Sequence, residues 1–252
     1  MSTSEFDLQR STIRENLAGN LERLEGEIVR ACRESGRSRS QVELVAVSKN
    51  HPTDALIAAI ELGLHSFGEN RVQEFAAKSA ELVTAGARGQ MRAHLVGHLQ
   101  KNKAAKAAEI FDAIDSVDSL KLAERLNEAA DRLGKRLPIL LEIKLSHEET
   151  KAGLAPDSAE LAQLLEKLPS LENLDAQGLM TIAPLDVPEE ETRACFRSLR
   201  VLRDQLSATH PKLHLPVLSM GMSGDFPLAI AEGATRIRVG TALFGTRPGY
   251  PQ

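Results

Sequence analysis

Tryptophan is absent from this 252-residue chain, tyrosine occurs once, as Tyr250, and aromatic residues together make up only 3%. A core of any size must therefore be aliphatic. Cysteine is almost as scarce. Cys32 and Cys195 are far apart and belong to no paired motif, which argues against a disulfide framework or a cysteine zinc site and favours a reducing compartment. No apolar run is long enough to span a bilayer. The segment from Met1 to Asn20 is polar and mixed in charge, unlike a signal peptide. Basic residues show no excess either: 31 Lys and Arg against 35 Asp and Glu give a net charge of -4. These absences exclude a membrane protein and a polyanion binder, and lead us to expect a soluble cytoplasmic protein with no nucleic-acid or membrane partner.

Hydrophobic residues reach 42%, enough for a sizeable interior. Ile13, Leu17, Leu21, Leu24, Ile28 and Ala31 recur at helical spacing, so residues 1–36 are expected to form an N-terminal helix ending near Gly36. Apolar, strand-like runs then begin near Val42, His65, Ala93, Phe111, Pro138, Asn173, His214 and Thr235. Helix-compatible stretches separate them, near 53–62, 71–83, 101–108, 119–133, 157–168, 188–208 and 226–232. Strand and helix in alternation imply parallel pairing through right-handed crossovers. Eight such repeats are the number that closes a (β/α)8 TIM barrel. An open doubly wound sheet is the alternative, but no Gly-x-Gly-x-x-Gly follows the first strand. No linker or low-complexity tract divides the chain, so residues 1–252 are expected to form one α/β domain with the first helix packed on its barrel.

A barrel carries its site at the C-terminal ends of its strands, often with phosphate held after strands seven and eight. Lys49 follows the first strand, where desolvation can lower an ammonium pKa and free the amine to attack a carbonyl. Asn70 follows the second strand and Met180-Thr181 ends the sixth. Ser219-Met220-Gly221-Met222-Ser223-Gly224-Asp225 follows the seventh and Gly240-Thr241 the eighth. Small residues let a backbone approach phosphate closely, and the serine hydroxyls add donors. Either loop alone could be only a tight turn. An amine for aldehydes beside a phosphate cradle suggests pyridoxal 5'-phosphate (PLP).

Arg238 shares side-chain parity with Gly240 and could meet the pyridine nitrogen, weakening the cofactor as an electron sink. Arg236 has the same parity, and alternation cannot choose between them. His51 is read as a loop residue. His94 and His98 lack the glutamate of a metalloprotease helix, so no metal is expected. Lys101, Lys103 and Lys106 read as a solvated helix face.

These segments in this order closely resemble the pyridoxal phosphate homeostasis family of PLP-binding barrels. The matching stretches are Leu44 to Lys49, Phe67 to Glu74, His94 to Lys103, Glu149 to Gly153, Gly178 to Pro184, Leu218 to Asp225 and Arg238 to Gly245. The string Leu218-Ser219-Met220-Gly221-Met222-Ser223 is the most specific. The resemblance implies a PLP fold-type III barrel, similar to the N-terminal domain of alanine racemase. It implies that Lys49 carries PLP as a Schiff base, that Ser219, Gly240 and Thr241 surround the phosphate and that Arg238 lies near the pyridine nitrogen. Asn70 and Met220 would line the ring, Ser223 would be a further phosphate contact, and Lys151 would be a second amine nearby. Lys144 stands where family members often carry asparagine, which weakens the carry-over to that loop.

Racemases of this fold add a second domain and a tyrosine base on the opposite face. Here one barrel and Tyr250 are all the sequence offers. The expectation is a monomeric protein that keeps PLP, vitamin B6 and amino-acid pools in balance without robust turnover and can pass PLP to apo-enzymes. A weak amino-acid racemase is the alternative, and a Schiff-base aldolase a more distant one.

Overall fold

The apolar run Leu44-Val45-Ala46-Val47 is buried along its whole length, as expected of a parallel strand covered on both faces. In the computed structural model, which describes residues 3–145 and 152–245 with side chains from residue 10 onward, this run belongs to the first of eight parallel strands. They are β1 (Glu43–Val47), β2 (Ser66–Glu69), β3 (Arg92–Leu95), β4 (Ala113–Val117), β5 (Leu137–Glu142), β6 (Leu174–Met180), β7 (Val217–Ser219) and β8 (Arg236–Val239). They close into a barrel in chain order, with β1 paired to β8.

Helices alternate with the strands: α1 (Thr3–Glu34), α2 (Thr53–Glu61), α3 (Val72–Thr84), α4 (Ala104–Ile110), α5 (Leu120–Arg132), α6 (Ala159–Lys167), α7 (Glu189–Thr209), α8 (Phe226–Ala231) and α9 (Thr241–Phe244). The expected eightfold alternation is thus present. The stretch expected to be helical from Lys101 begins as a 3-10 turn over Lys101–Lys103 before α4. The fourth strand starts at Ala113, and its register with β5 shifts between Ile114 and Val117. The four-residue α9 had no periodic signal. Among the described residues, no helix is long and apolar enough to cross a membrane.

Alternation sorts the side chains of each strand. Leu44 and Ala46 join the aliphatic layer between sheet and helices, so Val45 and Val47 face the barrel interior. A β-carbon at Gly68 would stand 3.1 Å from both valines; glycine leaves the space that they fill. Below them lies a polar layer. Arg236 donates to Asp115 at 3.0 Å and to Glu43 at 2.8 Å, His94 Nδ1 lies 3.2 Å from Asp115, and the Ser66 hydroxyl donates to Glu43 at 2.6 Å. Burial alone would raise the Asp115 carboxyl, but His94 and Arg236 outweigh it and hold the group at about 2.

Helix α1 packs on α2, α8 and α9. Its buried stripe is Leu17, Leu24, Ile28 and Ala31, the amphipathic face seen in the sequence. Polar ties fix its place. Asn20 donates to the Leu243 carbonyl of α9 at 2.8 Å, and the following Arg37 donates to the Ile230 and Ala234 carbonyls at the end of α8.

Candidate functional site

At the C-terminal mouth of the barrel the strand ends enclose a cavity of about 230 Å³. Of the residues singled out in the sequence, Lys49, Asn70, Ser223, Arg238, Gly240 and Thr241 line it. Val47, His51, Val96, Ile182, Met222 and Gly224 complete the wall. Residues separated by almost the whole chain therefore meet in one place, as the strand topology requires.

The loop after β1 is anchored from beneath. Lys78 of α3 donates to the Ser48 carbonyl at 2.9 Å, to Glu69 at 2.8 Å and to Glu74 at 2.8 Å. The Ser48 hydroxyl donates to the same Glu69 oxygen at 2.7 Å. Asn50 takes the left-handed conformation, φ 63°, which asparagine tolerates better than most residues. Its N–H donates to Glu74 at 2.6 Å. Lys49 is thus held between two residues whose backbones are fixed by one buried lysine and its carboxylates. Burial pushes the Glu69 carboxyl up despite that lysine. Beside the loop, His51 stacks on Phe244 of α9 with ring centroids 5.0 Å apart.

The two glycine-bearing loops meet beside this loop, at the ends of the neighbouring strands β7 and β8. Gly221 has φ 95°, and a β-carbon there would fall 2.6 Å from that of Ala229, so the turn from β7 into α8 requires glycine. The Arg238 N–H donates to the Gly221 carbonyl at 2.9 Å. The Ser223 hydroxyl accepts from the Ala242 N–H at 3.3 Å. A β-carbon at Gly240 would stand 3.2 Å from the Val47 carbonyl oxygen, so β1 and the end of β8 approach closely at the cavity floor. The Ser223 and Thr241 hydroxyls can donate hydrogen bonds of the kind that hold an oxyanion.

The two arginines of β8 separate by depth. Arg236 belongs to the polar layer below. Arg238 borders the cavity, donating to the Ser219 hydroxyl at 2.9 Å and to the Thr181 carbonyl at 2.9 Å. Ser219 thus supports Arg238 and is itself fully buried, outside the cavity wall. Met220 has the opposite parity. Its side chain is buried in the aliphatic layer beside Leu218 and does not line the cavity, unlike the ring-lining position that the resemblance implies. Lys151 and Tyr250 lie outside the described residues.

One group went unnoticed in the sequence. Glu142, at the end of β5, is 7% exposed, and among the described residues its Oε2 has no hydrogen-bond partner. Desolvation, reinforced by Asp118, pushes its carboxyl up to about 7 against the pull of Arg238 and His98. It lines a second cavity of about 220 Å³, which shares Asn70, Val96 and Ile182 with the first. Among the described residues, no group of three or more His, Cys, Asp or Glu is placed to hold a metal ion.

Comparison with known proteins gives concordant matches. The family model for the alanine racemase N-terminal domain matches residues 20–248. The pyridoxal phosphate homeostasis protein of Haemophilus influenzae is 39% identical over 233 residues, which cover 92% of this chain and 96% of that protein. PipY of Synechococcus elongatus PCC7942, solved with PLP bound, is 46% identical with a TM-score of 0.79, covering 91% of this chain and all of that one. Alanine racemase of Clostridium difficile shares the fold, with a TM-score of 0.72 at 19% identity; the match spans 94% of this chain and 58% of the racemase.

Proposed function

This chain belongs to the pyridoxal phosphate homeostasis family, built on the alanine racemase N-terminal domain, and from that premise we propose that it binds PLP at the Lys49 cavity and serves PLP homeostasis. PLP would supply an aldehyde for the Lys49 amine and a phosphate for the donors beside it. The observation that carries this reading is the convergence of Lys49, Arg238, Ser223 and Gly240-Thr241 on one cavity. The donor set fits the group. A primary amine and a permanently charged guanidinium line the same cavity as Ser223, Gly224, Gly240 and Thr241. PLP bound in PipY, a relative covered along its whole length, supports the same assignment.

Each residue then has a task. Lys49 Nζ would make the covalent link. Ser223 and the Gly240-Thr241 turn would hold the phosphate, Asn70 would border the ring, and Arg238, itself held by Ser219 and the Thr181 carbonyl, would meet the pyridine nitrogen. An always-charged donor there opposes protonation of that nitrogen and disfavours carbanion chemistry. This supports binding and exchange over turnover. At the rim Thr241 and Gly224 are exposed and Lys49 is half-buried, which suits hand-over of PLP to apo-enzymes.

Two measurements check the reading. PLP is expected to bind at least about 100-fold more tightly than pyridoxal, because the phosphate carries several charge-assisted hydrogen bonds. Equal affinity contradicts a phosphate site. In deuterium oxide the loaded protein is expected to leave the α-hydrogen of alanine in place. Rapid, saturable exchange lost in Lys49→Ala would instead establish a racemase.

A further inference from the structure

The second cavity is lined by a carboxylate that no described residue satisfies. Glu142 is more than nine-tenths buried and lines this space with Val96, Ile182 and Ala152, and among the described residues its Oε2, shielded from water, has no hydrogen-bond partner. A buried carboxylate oxygen accepts and cannot donate. Whatever completes it must bring N–H or O–H donors, and a positive charge suits it best. The volume, about 220 Å³, admits only a small molecule. The shared wall of Asn70, Val96 and Ile182 places that molecule beside the Lys49 cavity.

We propose that this cavity binds the ammonium group of a small primary amine, with Glu142 as its acceptor. Among the described residues, the other charged or titratable groups around Glu142 are Asp118 after β4, His98 after β3, Arg238 on β8 and Lys144 beyond β5. Asp118 adds to the negative potential. Lys144 and His98, the latter with its Nδ1 2.9 Å from Asp118, stand on the same wall, where the lysine's charge suits a carboxylate, so α-amino acids are the amines best matched. The proposal rests on the Lys49 reading for its purpose, since it stations an amine next to the group that reacts with amines. The binding itself requires no reaction. Glu142 takes up or releases a proton near neutrality, so an ammonium ion favours its ionised form and binds more tightly as that form is populated.

The test uses the full-length, PLP-loaded protein after borohydride reduction, so that no amine can react covalently. Ethylammonium, L-alanine and acetate are titrated separately and followed by saturation-transfer NMR. Saturable binding of ethylammonium and alanine is expected, without comparable binding of acetate. Glu142→Gln is expected to weaken both amines at least about tenfold while leaving PLP loading intact. Alanine binding about tenfold or more tighter than ethylammonium identifies an amino-acid site; equal binding identifies a general amine site. In the unsubstituted protein, ethylammonium affinity is expected to rise between about pH 6 and pH 8, and Glu142→Gln to flatten that rise. Undiminished amine binding in Glu142→Gln, or acetate binding as tightly as ethylammonium, overturns the proposal. The chromophore before reduction reports on Lys49 independently. If it never forms, the PLP reading fails, and ethylammonium titration of the unloaded protein still decides the role of Glu142.

Discussion

Glu142 and Asp115 are buried carboxyls of one barrel, yet their environments push them in opposite directions. Asp115 has Arg236 and His94 as partners and is held at about 2; Glu142 has only more distant cations and rises to about 7. For Glu142 the folded value lies above the ordinary 4.5. Its contribution to stability is therefore full below about pH 4.5 and is lost as pH rises through about 7. Glu142→Gln cannot ionise. Relative to the unsubstituted protein, the variant should gain on the order of 1–3 kcal/mol between pH 5 and pH 8. Urea unfolding at the two pH values measures this, and a gap that stays constant contradicts it. The sequence shows both carboxyls only as acids in apolar strands. In Leu140-Leu141-Glu142-Ile143 both faces are apolar, so no alternation marks which side Glu142 takes. The parity of Arg236 and Arg238 was legible; their depths were not, because depth depends on the stagger of neighbouring strands.

At the scale of elements, α3 connects the site to the rest of the fold. Lys78 looks like an ordinary helix cation paired with Glu74 four residues earlier, so the pattern alone does not mark it. In the fold it is 8% exposed and bridges Glu69, Glu74 and the Ser48 carbonyl. Lys78→Met leaves Glu69 buried without its cation, at a cost of about 3–5 kcal/mol. The same change frees the backbone around Lys49. PLP affinity should fall several-fold, under conditions where circular dichroism shows the variant still folded. Unchanged stability and unchanged affinity would deny α3 this role. The strand starts were legible because each parallel strand is a short apolar run between helical patterns. Helix α9, four residues long and held by Asn20 of α1, has no period to read.

Over the whole molecule, eightfold alternation specified the barrel, and the barrel specified where scattered residues meet. Lys49, Asn70, Arg238 and Gly240-Thr241 could be brought together on paper because strand ends converge by topology. The second cavity could not, since its wall depends on side-chain depth and on the close approach of Gly97 to Asn70, where a β-carbon would stand 2.5 Å from the Asn70 carbonyl oxygen. In the proposed function this architecture serves one covalent bond at one lysine. Borohydride reduction of the PLP-loaded protein, followed by peptide mapping, tests it most directly. A single modified residue, Lys49, is expected, with no near-visible chromophore in Lys49→Ala. Stoichiometric labelling of any other lysine, or a chromophore that survives the substitution, would contradict the account.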